Sequence, residues 1–191
     1  MTKKIVVTEY VSLDGVIEDP VGMENSGLGN WTGPFNRGPE GDRFKLDELL
    51  AADCLIFGRA TYDAFAAAWP HMKDDTGMAD RMNSLPKYVA SSALKQEQAT
   101  WGESTIWNGD IVSAAGALKA GGHGEALIYG SASVVHQLAF AGLIDEYRLM
   151  VYPTILGAGK RLYPDGATSK LKLAECKQLG GGIVFLRYTT G

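Results

Sequence analysis

Two cysteines, Cys54 and Cys176, and three scattered histidines are a poor inventory for metal chemistry in 191 residues. There is no C-x-x-C and no paired spacing of ligands, so no metal site is expected, and two isolated thiols suit a reducing compartment better than a disulfide framework. Positive charge is not in excess either. Eighteen lysines and arginines against 22 acidic residues leave a net charge of −4, which argues against a protein that coats nucleic acid or an anionic membrane. No apolar run approaches the roughly eighteen residues of a membrane span. The opening "MTKKIVVTEYVSLDG" has the β-branched and aromatic content of a strand rather than the apolar core of a leader. A cytoplasmic protein is expected, with a small-molecule partner, no nucleic acid and no membrane. Internal repeats and low-complexity tracts are also missing, as are G-x-G-x-x-G and the Walker lysine motif, so neither a standard Rossmann site nor a P-loop is predicted.

What is present reads as one domain over residues 1–191, with 46% apolar and 21% charged residues. Strand patterns fall at Ile5–Val11, Leu55–Phe57, Lys87–Ala90, Ser104–Trp107 and Ala126–Tyr129. Helical spacing falls at Asp42–Ala52, Ala60–Ala68, Ile111–Lys119 (with Asp110 as its cap) and Ser131–Ala141. One further short helix is expected before Pro86. Three strands close the chain, Glu146–Tyr152, Leu171–Gln178 and Ile183–Tyr188. Alternating strands and helices predict an α/β fold with a mostly parallel sheet, and the strand-only tail predicts an antiparallel C-terminal edge. The glycine- and proline-rich stretch Ser12–Gly41 is long for a loop in a compact domain, and such loops are often functional.

In open α/β sheets ligands sit beyond the carboxyl ends of the strands. Three such junctions are unusual here: Gly58-Arg59-Ala60-Thr61, Ser91-Ser92, and "YGSAS" from Tyr129 to Ser133, which contains Gly130, Ser131 and Ala132. Together they offer a guanidinium, hydroxyls and helix N-termini, the mixture that a dinucleotide carrying a 2′-phosphate needs. Taken singly, each reads equally as a tight turn, a strand end or a helix cap.

The order strand–"GRATY"–helix, strand–"SS", strand–"YGSASV"–helix resembles the dihydrofolate reductase superfamily. "SLDGVIED" and the tail "LIDEYRLMVYPTILGAGKRLY" (residues 143–163) are similar to its riboflavin-biosynthesis branch, the C-terminal reductase domain of bacterial deaminase/reductases and its stand-alone relatives. The resemblance spans essentially the whole chain. It implies the three-layer dihydrofolate reductase-like fold and an NADPH-dependent reductase. Gly58, Arg59 and Thr61 would bind the cofactor, with Arg59, Ser91 and Ser92 facing the 2′-phosphate and Gly130, Ser131 and Ala132 against the pyrophosphate. The loop from Leu13 to Asp19 would close over nicotinamide, with Val16 and Ile17 near the ring and Trp31 further along, on the substrate side.

Asp42 stands about where folate reductases keep the acid that grips the pterin. It reads either as that acid, its pKa raised by partial burial, or as a plain helix cap. Lys160 and Arg161 would meet a ribose phosphate or be solvated. The reaction implied is hydride transfer to a small heterocyclic or carbonyl substrate, most like the 5-amino-6-(5-phosphoribosylamino)uracil reductase step. Dihydrofolate reduction, which Met150 disfavours, and an NADP(H)-binding sensor without turnover are the alternatives. A homodimer is expected, because "RLMVYPTIL" and "IVFLRY" would be costly to leave as bare edges.

Overall fold

In the computed structural model, which describes residues 2–191, eight strands form one sheet in the order β4-β3-β2-β5-β1-β6-β8-β7. β1 (Lys4–Ser12) lies inside it, flanked by β5 (Glu125–Tyr129) and β6 (Glu146–Tyr152), both parallel to it. β2 (Ala52–Gly58), β3 (Lys87–Ala90) and β4 (Ser104–Trp107) continue the parallel part, while β8 (Val184–Thr190) and β7 (Leu171–Gln178) add the antiparallel edge.

Period-two alternation sorts the strand side chains into two cores. Ile5, Val7, Ile56 and Ile128 face α4 (Ile111–Ala120) and α5 (Ala132–Phe140). Val6, Leu55, Phe57 and Leu127 face α1 (Gly38–Ala51), α2 (Arg59–Ala68) and α3 (Met78–Ser84). Helices on both faces of the sheet give the three-layer α/β architecture expected from the sequence. A third, smaller core under β6 and β8 takes in Trp31, Met150, Tyr152 and Phe185. Among the described residues no helix is long and apolar enough to cross a membrane.

Three expectations change. α1 begins at Gly38, not at Asp42, because Pro39 occupies the first turn, where a missing N–H costs nothing. Asp42 therefore does not cap it; the N-cap residue is Arg37. The apolar strands that looked like bare edges are interior, since β6 lies between β1 and β8, and β8 between β6 and β7. The outer strand is β7, whose sequence "LKLAECKQ" is largely polar and exposed. The long loop is held by its own hydrogen bonds. The Asp19 carboxylate accepts hydrogen bonds from the Glu24 and Ser26 amides and the Ser26 hydroxyl, and Trp31 Nε1 donates to the Glu18 carbonyl at 2.9 Å.

Candidate active site

Beyond the carboxyl ends of the central parallel strands lies a cleft of about 1160 Å³. One end is made of backbone. α2 starts directly from Gly58 and α5 from Ser131, and neither start carries a side-chain cap, so first-turn N–H groups of both helices are left for a ligand. The two starts interlock. A Cβ on Gly58 would lie 1.8 Å from Ser131 Oγ, and one on Gly130 (φ +63°) would lie 2.7 Å from Thr61 Oγ1. Each glycine thus makes room for the hydroxyl residue of the other turn, which sets two positive helix ends side by side. Ser131 itself adopts a left-handed backbone, φ +71°, a conformation that non-glycine residues hold at functional sites more often than elsewhere.

Arg59, Thr61, Ser91, Ser92, Gly130, Ser131 and Ala132 all line this end, and Gly58 lies just behind it. Arg59 is half-exposed and bonded through Nε to Asp63 at 2.5 Å, one helical turn on. Ser91 Oγ accepts from the Leu94 amide at 2.9 Å, and Thr61 Oγ1 donates to Glu24 Oε1 at 2.8 Å, pinning the long loop to α2.

The other end is made of side chains. Tyr10, Phe35 and Tyr152 wall it, with both Tyr10 and Phe35 edge-on to Tyr152. Lys45 is buried between the rings of Tyr10 and Tyr129, at 5.2 and 4.9 Å from their centroids. It ion-pairs with Glu48 and donates to Thr8 Oγ1 at 2.8 Å. Behind Glu48, Arg148 bridges Glu125 at 2.8 Å and Glu146 at 2.6 Å. Arg37 donates to the Tyr10 hydroxyl, and burial pushes that phenol up to about 12.

The substrate-side residues expected from sequence are dispersed. Asp42 sits on the rim, 63% exposed, its Oδ1 accepting from Arg37 Nε at 2.6 Å. The partial burial expected of it is absent, because the helix turns that face outward. Lys160 reaches the cleft mouth but is paired with Glu18 at 2.5 Å. Arg161 points away, exposed, with its backbone paired to Val16. Val16 is fully buried within the loop, and only its neighbour Ile17 lines the cleft. Trp31 supports the wall from behind, edge-on to Tyr152 at 5.7 Å, without lining it.

Glu9, Glu24, Tyr10, Arg37 and Lys45 went unread in the sequence. For Glu9 a signal was present. It lies between Val7 and Val11 on the same face of β1, so the alternation that buries those valines buries a carboxyl with them. Burial raises Glu9 to about 8 against the opposing pull of Lys45.

A sequence model described as the RibD C-terminal domain matches residues 3–185. The chain belongs to that family. It is a family of reductases, and the cleft of this chain joins two uncapped helix starts to an aromatic chamber. The Bacillus subtilis proteins YyaP and YwjB, both called uncharacterized, are 26% and 28% identical to this chain. The alignments span 97% of this chain and 94% of YyaP, and 96% of this chain and 96% of YwjB. A Shewanella sp. PV-4 protein provisionally named for riboflavin biosynthesis shares the fold, with a TM-score of 0.77 at 19% identity over 98% of this chain and 99% of that one. Acinetobacter baumannii RibD matches at a TM-score of 0.62 and 17% identity, all of this chain lying on 58% of that one.

Proposed function

We propose that the protein is an NADPH-dependent reductase that delivers hydride to a carbonyl or imine carbon of a small heterocyclic substrate. The observation that carries this reading is the interlocked pair of uncapped helix starts, with Arg59 beside them. Two convergent positive helix ends and an arginine suit a molecule with several phosphates, and the Gly58 and Gly130 positions leave no room for side chains in their place. Bound NADPH supplies the hydride from its nicotinamide C4. The amides of Ser131 and Ala132 would hold the pyrophosphate, with Gly130 lying against it, and Arg59 with Ser91 and Ser92 would favour the 2′-phosphate. Ile17 and the loop pinned through Glu24 and Thr61 would shield the transfer from water.

The reaction nearest in kind is reduction of a pyrimidine ribosylamine phosphate to its ribityl form. One observation favours a relative of that substrate without a phosphate. Around the chamber Arg37, Lys45 and Lys160 each already hold a carboxylate, Asp42, Glu48 and Glu18, and Arg161 faces away from the cleft. A homodimer and a cytoplasmic setting complete the reading.

Titration with NADPH and NADH tests the reading, followed by quenching of tryptophan fluorescence, since Trp69 lines the cleft. NADPH is expected to bind more tightly, with the preference collapsing in Arg59→Ala. Binding of neither nucleotide would overturn it. Binding without NADPH oxidation by any pyrimidine riboside, dihydrofolate or simple carbonyl would favour a sensor.

A further inference from the structure

Resting on that reading, we propose that Glu9 is the proton donor of the cleft, held as a neutral acid between the nucleotide end and the aromatic chamber. β1 carries its carboxyl into the cleft, which it lines together with Gly130, whose amide faces it. The residue is 5% exposed, and its Oε1 is fully buried with no hydrogen-bond partner. A buried, unpartnered oxygen is tolerated far better on a carboxylic acid than on a carboxylate, whose charge would go uncompensated. The groups facing it are mixed. Lys45 on α1 pulls toward ionisation, as does the Gly130 amide in the turn after β5, while Glu48 on α1 and Glu24 on the loop push against it. Lys45 is already committed to Glu48 and Thr8. Among the described residues no other carboxyl at the cleft combines these features: Asp42 is exposed and ion-paired, Glu18 holds Lys160, Asp19 accepts three hydrogen bonds, and Glu24 accepts from Thr61.

The step balances simply. As hydride from the dihydronicotinamide reaches the acceptor carbon, the π pair of the C=O or C=N bond moves onto its oxygen or nitrogen. That atom takes the Glu9 proton. The carboxylate left behind regains a proton from solvent as product leaves.

The test is a carboxyl titration by NMR on the intact protein labelled with 13C at the glutamate carboxyls, compared with Glu9→Gln, alone and saturated with NADPH. One carboxyl is expected to titrate near pH 8, to be absent from Glu9→Gln, and to keep or raise its midpoint when NADPH binds. NADPH affinity in Glu9→Gln is expected within threefold of the wild type. A Glu9 midpoint in the ordinary carboxylate range, free or bound, would overturn the role while leaving the reductase reading intact. So would a tenfold loss of NADPH affinity in Glu9→Gln, which would make Glu9 part of the cofactor seat. Failure of the wild type to bind NADPH would overturn the reductase reading and the proton-donor role together, whatever the titration gives.

Discussion

The two ends of the cleft are built on opposite principles. At the end formed by the two helix starts the parts are backbone amides, two glycines and short hydroxyl side chains, with no buried ion pair among them. At the other end they are rings and charges, each charge already answered by another. Lys45 holds Glu48, Glu48 faces Arg148, and Arg148 holds Glu125 and Glu146. A site made of backbone can wait for an anion at little cost. A site made of buried charge has to be neutralised before any substrate arrives.

The largest expected effect comes from breaking the second end. Glu48→Ala leaves Lys45 and Arg148 short of a carboxylate in a buried setting, so a loss of about 3–5 kcal/mol is expected in urea unfolding. Replacing the pair together, Lys45→Met with Glu48→Leu, should restore much of that, because the desolvation of both ions disappears with them. A double variant no more stable than Glu48→Ala would mean that the cluster is held by something other than charge compensation. The first end should respond less in stability and more in binding. Gly130→Ala forces a Cβ into φ +63° and to within 2.7 Å of Thr61 Oγ1, for a cost of about 1–3 kcal/mol. NADPH affinity should fall further than stability does, since the amides proposed to hold its pyrophosphate lie in the turn that is displaced.

Acidity gives a sharper contrast, with the signs opposed. Glu9 is raised from 4.5 to about 8, so between those values the unfolded chain loses its proton while the folded one keeps it. Stability from Glu9 is whole below pH 4.5 and is lost as pH rises toward 8. Lys87, which does not line the cleft, is lowered from 10.5 to about 8 by burial; its ammonium donates to the Asn83 and Leu85 carbonyls and lies over the Trp101 ring. There the unfolded chain holds the extra proton, so stability rises with pH between 8 and 10.5. Urea midpoints across pH should show Glu9→Gln flattening the lower window and Lys87→Met the upper one. If Glu9→Gln leaves the lower slope unchanged, its carboxyl is not held neutral by the fold.

The same contrast explains what could be read without coordinates. "GRATY", "SS" and "YGSAS" are local, the first and last each fixing a turn and a helix start within five residues and the second a strand end, and so this end of the cleft was legible as three junctions in order. The alternation in β1 and the strand–helix rhythm likewise carried the sheet and its layers. The chamber is assembled from β1, the long loop, α1, β5 and β6, and its pairings join residues 37 positions apart in Thr8–Lys45 and 40 in Thr8–Glu48. No local pattern encodes such partners. The misplaced start of α1 shows the limit from another side. Gly38-Pro39 reads as loop composition, yet proline in a first helical turn obeys the same rule that bars it from the interior.

The smallest expected effect is the one that separates the two candidate acids. Asp42 was the carboxyl that position in the chain singled out; its Oδ1 lies 2.6 Å from Arg37 Nε, and 63% of the side chain is in solvent. An exposed pair of this kind contributes about 0–1 kcal/mol. Asp42→Asn should therefore leave the urea midpoint nearly unchanged and NADPH affinity untouched, and it removes no buried acid from the cleft. Its one consequence should be looser tethering of Arg37, and through it of the Tyr10 hydroxyl. That would show as a modest rise in KM for any turned-over substrate, at constant kcat. A kcat that falls in Asp42→Asn with KM unchanged, and survives in Glu9→Gln, would exchange the roles of the two carboxyls. It would mean that the rim closes over substrate and buries Asp42 only in the complex. A fall confined to Glu9→Gln would instead place the proton where the strand, not the helix, holds it.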